Sequence, residues 1–202
     1  MKRIAVLGAG GHTRSLLNLL DAGKYRIEGI YDRNFQENCR EAIGPYPLQG
    51  GPDDISGAEI VISSGNPMVR EEFYRRYSER ILGDNLFHPL AVVEKNVSLG
   101  RCNQLFAGSY VNSFTRVGDN NVINSGALVE HECVIGSHNH LAVGACIAGR
   151  VTIGDLCLIG AGAVLVDTIA VCSKAIIGAG AVVVDDIREP GTYVGCPARR
   201  IK

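Results

Sequence analysis

The 202-residue chain sets 20 Lys and Arg against 21 Asp and Glu, a net charge of −1, so its electrostatics argue for neither nucleic acid nor an anionic membrane. It is 46% hydrophobic, lacks Trp and has no apolar run of transmembrane length, which predicts one or two soluble domains with an aliphatic core. Met1-Lys2-Arg3-Ile4 leads straight into a strand without a cleavable signal pattern, so a cytoplasmic protein is expected.

Arg3-Ile4-Ala5-Val6-Leu7 reads as a buried strand and Gly8-Ala9-Gly10-Gly11-His12 as a glycine-rich turn. Residues 13–22 read as a helix with Leu16, Leu17, Leu19 and Leu20 on its apolar side, ended by Gly23. A second strand spans 26–31 and closes on Asp32. A third, 59–63, leads to Gly65-Asn66-Pro67, and residues 68–81 place Val69, Phe73, Tyr77 and Ile81 at helical spacing. This β-α-β order predicts a small parallel α/β domain over 1–88, Rossmann-like, followed by a second domain over 89–202.

The glycine turn is an incomplete dinucleotide fingerprint, because Thr13 stands where a third Gly belongs. Asp32 lies where a ribose-binding acid would sit. One reading is a nucleotide-sugar site with helix-start N–H groups facing phosphate. The other is a tight strand-to-helix turn without a ligand. A full NAD site fits poorly in so short a domain.

From Val93 to Val183 a Val, Ile or Leu recurs every six residues, sixteen times without interruption. Gly is frequent one place later, as at Gly100, Gly118, Gly136 and Gly154, and the fifth place is mostly small, as at Ala127, Cys133, Ala145 and Ala163. A hexapeptide period is the signature of a parallel β-helix. Each hexad is a short strand and a corner, and three close an 18-residue triangular coil whose neighbours stack at about 4.8 Å. Each coil then needs the next to complete its hydrogen bonds.

Of seven Cys, none forms a Cys-x-x-Cys pair, so zinc and redox motifs are absent. Most sit inside the repeat as small apolar side chains. Cys133, beside His131, is either a nucleophile or one more small corner residue.

Five His are present. His12 ends the glycine turn within reach of a ligand, and His88 before Pro89 reads as a linker residue. His131 lies between Glu130 and Glu132, an arrangement that orients an imidazole and suits a general base, or else a solvated polar wall. Gly149 follows 18 residues later, one coil along, leaving room for the ring and offering an N–H to an oxyanion. His140 is nine residues from His131, half a coil round, so the two can meet only between subunits, most naturally in a threefold ring. Ala161 and Ala179 are 18 apart near His140 and predict a side-chain-free groove for a long thin ligand.

The repeat, Glu130-His131-Glu132-Cys133-Val134-Ile135-Gly136, and the ending Gly195-Cys196-Pro197-Ala198-Arg199-Arg200-Ile201 resemble a left-handed β-helix acyltransferase. With the glycine turn in front, the whole chain resembles the sugar acetyltransferases of the PglD/NeuD type. The resemblance implies a left-handed coil, a homotrimer with sites between subunits, and acetyl-CoA as co-substrate without a metal. It implies transfer to the 4-amino group of a UDP-linked 4-amino-4,6-dideoxy sugar, a step in bacterial glycan biosynthesis. By the same resemblance His131 is the base, Glu132 tunes it, His140 contacts acetyl-CoA, and Gly149 donates to the thioester carbonyl. Ala161 and Ala179 line the CoA groove, and Gly10, Gly11, His12, Asp32 and Gly65 line the sugar pocket. Arg33 departs from the pattern, because some relatives carry a second Asp there, and this bears on the uridine contacts.

Three other readings remain at this stage. One is an O-acetyltransferase of the NeuD type acting on sialic acid or another sugar hydroxyl. Another is a zinc enzyme like the γ-class carbonic anhydrases, suggested by His131, His138 and His140. The third is a non-catalytic nucleotide-sugar-binding partner of another biosynthetic enzyme.

Overall fold

A computed structural model describes residues 1–36 and 42–202. Cys39 lies outside the described residues. The N-terminal lobe contains β1 (Lys2–Leu7), α1 (Gly11–Leu16), β2 (Tyr25–Tyr31), β3 (Ala42–Ile43), β4 (Tyr46–Gly50), β5 (Glu59–Ile62) and α2 (Pro67–Arg76). Its sheet runs β3-β4-β2-β1-β5, parallel except for the β3–β4 pair. Because β1 lies inside the sheet between β2 and β5, Ile4, Val6 and Leu7 are wholly buried and read as a continuous apolar run.

Both helices are shorter than their apolar spacing predicts. α1 tightens into a 3-10 turn over Leu17–Leu19, with Leu16 and Leu19 inward. α2 starts on Asn66, whose side chain accepts from the N–H groups of Met68 and Val69, and Pro67 occupies the first helical position. It ends at Arg76, and Ile81 instead pairs beside Ile60 as an extended residue.

From β6 (Leu86–Phe87) onward the chain winds into a left-handed parallel β-helix with three walls. The first wall stacks Val92–Val93, Tyr110–Val111, Leu128–Val129, Cys146–Ile147, Val164–Leu165 and Val182–Val183. The second stacks Ser98–Leu99 through Ala170–Val171, and the third runs from β6 through His140–Leu141 to Gly191–Val194. Tyr110 pairs with Leu128 and Val134 with Thr152, so the 18-residue register holds. The hexad aliphatics point inward, and Leu141, Ile147, Ile159 and Leu165 are wholly buried. Each such side chain contributes roughly 1.5–3 kcal/mol by leaving water.

One corner holds a device that the small-residue pattern conceals. Asn103, Asn121 and Asn139 stack at the fifth hexad place of successive coils, all buried. Each side-chain oxygen accepts the backbone N–H one coil along: Asn103 from Asn121 at 2.9 Å, Asn121 from Asn139 at 2.8 Å, Asn139 from Cys157 at 2.7 Å. Asn85 starts the ladder by accepting from Asn103 at 2.8 Å. The backbone N–H groups of this corner are thereby satisfied without water.

The two lobes share one core. Leu86, Phe106 and Val122 from the coils pack with Ile4, Leu16, Leu19 and Ile30. Val122 occupies an outward place on the third wall yet is wholly buried, because the N-terminal lobe covers it.

Candidate active site

His131 sits at the corner between the first and second walls. Glu132, the next residue, is left-handed (φ 60), which turns its carboxylate back to the ring. His131 Nδ1 lies 3.0 Å from Glu132 Oε2. A carboxylate only accepts, so Nδ1 carries the proton and Nε2 presents its lone pair outward. Arg150 approaches the same Glu132 oxygen at 3.8 Å. The second acid predicted to flank the histidine does not act on it, because Glu130 accepts from Asn112 Nδ2 at 2.6 Å.

The imidazole lies flat against Gly149. A Cβ at Gly149 would meet His131 Cε1 at 2.8 Å and Nε2 at 2.9 Å. Among the described residues the Gly149 N–H donates no hydrogen bond, although the neighbouring Ala148 and Arg150 amides do. Gly149→Ala is expected to push the ring off its position and lower kcat by about 10²-fold, since a misplacement of about 1 Å costs that much. The thermal midpoint should move little, because the ring that the methyl group displaces is half-exposed and can swing into solvent. An unchanged kcat would show that the imidazole works from another position.

Cys133 is no nucleophile. It is wholly buried, its thiol donates to the Ala148 carbonyl at 3.1 Å, and burial raises its pKa. It fills a small corner place.

On the other side of the molecule the predicted sugar-site residues converge. Gly10, Gly11, His12, Asp32, Arg33 and Gly65 line one cavity of about 430 Å³. Gly8, Ala9, Asn34, Ser63, Ser64, Val69 and Phe73 complete it. Gly8 is forced: its φ is 125° and a Cβ there would collide with the Ser63 carbonyl oxygen. Gly10 and Gly11 have open space where a Cβ would be, so their backbone faces the cavity bare. Thr13 replaces the third glycine for a structural reason, since its hydroxyl donates to Gly8 O at 2.7 Å and accepts from Ser63 Oγ at 2.9 Å. Asp32 holds the turn against the end of β2 by accepting the Ala9 N–H at 2.7 Å.

His12 Nε2 is 3.1 Å from Gln104 Oε1, which only accepts, so the Nδ1 lone pair is left. Burial lowers its pKa to about 4, so it is neutral at physiological pH.

His140 stands on the third wall, half a coil from His131, and the two do not meet within one chain. Its Nδ1 donates to the Gly65 carbonyl at 2.6 Å and its Nε2 accepts from Asn124 Nδ2 at 3.1 Å. Burial lowers its pKa, which agrees with a ring fixed in one neutral tautomer. A cleft of about 690 Å³ opens beside it between the start of α2 and the outward side chains Leu158 and Ile176, a feature the sequence reading did not contain. Ala161 and Ala179 are exposed at the corner between the third and first walls. Gly162 and Gly180 next to them have nothing within 4 Å of a notional Cβ, so this edge is bare of side chains.

The histidines do not assemble a metal site. His138 turns its Nδ1 to Asn120 Nδ2 at 2.9 Å, His140 has both nitrogens engaged, and His131 is on a different corner. Among the described residues no three His, Cys, Asp or Glu side chains converge.

Arg70 escaped sequence reasoning altogether. It lies on α2, wholly buried, between the cavity loop and the coils. Its isolated charge among helical polar residues gave no sign of burial. Phe106 was equally unsigned, although an aromatic one place after the inward Leu105, where glycine is frequent, is a usable clue.

Comparison with known proteins follows this division. Residues 3–77 match the PglD N-terminal domain family. The acetyltransferase domain of PglB from Neisseria gonorrhoeae FA1090 aligns over 100% of both chains at 27% identity and TM-score 0.89. Its complex with acetyl coenzyme A aligns over 99% of both chains at 27% identity and TM-score 0.87. A His-to-Ala variant of GDP-perosamine N-acetyl transferase from Caulobacter crescentus, in complex with CoA and GDP-perosamine, aligns over 98% of this chain and 96% of its own at 26% identity and TM-score 0.90. No curated protein sequence matches. A PglD N-terminal domain thus stands in front of a hexapeptide-repeat β-helix, and the full-length likeness to these acetyltransferases makes the chain an acyltransferase similar to the PglD-type sugar acetyltransferases.

Proposed function

We propose that this protein transfers the acetyl group of acetyl-CoA to the 4-amino group of a nucleotide-linked 4-amino-4,6-dideoxy sugar during bacterial glycan assembly. The observation that carries the reading is His131, held by Glu132 with Nε2 free and pressed on Gly149. The family resemblance names UDP as the carrier. The Caulobacter relative, bound to GDP-perosamine, brings in a second carrier.

In the mechanism, the sugar amine attacks the thioester carbonyl while His131 Nε2 takes its proton. The Gly149 N–H donates to the oxyanion. The C–S bond then breaks, and the imidazolium returns the proton to the leaving thiolate of CoA. The acetyl group passes directly to nitrogen, with no metal and no covalent enzyme intermediate.

A homotrimer is part of the proposal. His131 and the sugar cavity occupy opposite sides of one chain, so a neighbouring copy must bring its base to this cavity. The outward residues of the first wall, including Val92 at 48% exposure and Leu128 at 40%, offer an apolar face for that packing. In this arrangement His140, Ala161 and Ala179 border the path of CoA. Among the described residues no helix is long and apolar enough to cross a membrane, and the proposed location is the cytoplasm.

The test is thiol release from acetyl-CoA with UDP- and GDP-linked 4-amino-4,6-dideoxy sugars, CMP-sialic acid and free sialic acid. Turnover confined to the amino sugars is expected. Turnover confined to a sialic acid would move the nucleophile to a hydroxyl, and silence with all four would overturn the reading.

A further inference from the structure

The carrier base is the part of the substrate on which this chain's own residues speak. The bare backbone of Gly10 and Gly11 suits the diphosphate, and Asp32 at the end of β2 marks the ribose. The base then falls beyond Asp32, against Arg33, which lines the same cavity. The Arg33 guanidinium lies 4.6 Å above the centre of the Phe73 ring, and its Nη2 is 3.3 Å from Glu72 Oε2. Stacking and ion pair together hold a planar fork in one orientation at the cavity wall.

Arginine donates and never accepts. Uracil places an N3–H donor between its two carbonyls and needs an acceptor opposite it. Adenine sets an amino group beside N7. Guanine sets two acceptors, O6 and N7, side by side, the edge that an arginine fork matches with two hydrogen bonds.

From this we infer that Arg33 selects a guanine nucleotide, so that the sugar carrier of this enzyme is GDP rather than UDP. The inference rests on the cavity being the nucleotide-sugar site.

Titration calorimetry of the intact protein with GDP and with UDP tests it. GDP is expected to bind about tenfold tighter than UDP, the scale of one good bidentate base contact. Arg33→Ala should erase that preference by weakening GDP while leaving UDP nearly unchanged. Arg33→Lys keeps the charge but loses the fork, and should also lose the preference. Arg33 is 41% exposed, so both variants should retain the parent's thermal midpoint. Equal or tighter binding of UDP, or a GDP preference that survives in Arg33→Ala, would overturn the base assignment and leave the nucleotide site standing. Binding of neither nucleotide would overturn the site and the assignment with it.

Discussion

His131→Ala is expected to lower kcat by about 10²–10⁴-fold, the usual share of a positioned general base. The loss should appear in kcat with little change in KM for acetyl-CoA, because in the proposed mechanism the imidazole acts on the attacking amine and not on the CoA chain. Folding should be untouched, since His131 is 45% exposed and packs on the surface of its coil. His131→Gln, which can hydrogen-bond but cannot take the proton, should be nearly as slow as the alanine variant. Steady-state kinetics on both variants, with a thermal melt as control, makes the check. Turnover within threefold of the parent would remove His131 from the mechanism.

The largest effect on stability should come from Arg70→Ala. Arg70 is fully buried, and among the described residues no carboxylate is in contact with it. Its charge is spread over carbonyls: Nε donates to Asn120 O at 3.1 Å, and Nη1 to Ile62 O at 3.3 Å and Ser64 O at 3.2 Å. Nη2 donates to Asn120 Oδ1. Burial lowers its pKa to about 9, which still leaves it charged at neutral pH. Truncation would open a cavity and strand several buried carbonyls, for an expected cost of about 3–5 kcal/mol. Urea unfolding measures it. Arg70→Met fills the volume but supplies no donor, so it should recover less than half of the loss. A midpoint for Arg70→Ala close to the parent's would mean that water satisfies these carbonyls.

The coils were legible because each hexad states its own orientation. An inward aliphatic at places such as Ile135, Leu141 and Ile147 can be satisfied only by a closed three-walled coil. The 18-residue spacing of His131 and Gly149 then became a contact, with the ring lying on the glycine. Features that depend on which wall faces what were hidden. Val122 and Gln104 look like any outward hexad residues, and only the docking of the N-terminal lobe buries them. Arg70 reads as one more helical cation until the coils close over it. The asparagine ladder was missed because Asn121 matters through the coil on either side, which local patterning does not weigh. The helices were overestimated for a related reason: apolar spacing continued past Arg76 because Ile81 packs beside Ile60 as a strand-like residue.

The seam where Phe106 and Val122 enter the core of the N-terminal lobe leaves no hinge between the lobes. The glycine turn is thereby mounted at a fixed height on the third wall, like a bracket on a post. The His140 hydrogen bond to the Gly65 carbonyl ties the cavity rim to the same wall. In the proposed trimer a neighbouring copy would dock against a surface already set. The fit between copies, and not a swing within one, would then fix the span from the turn to the base.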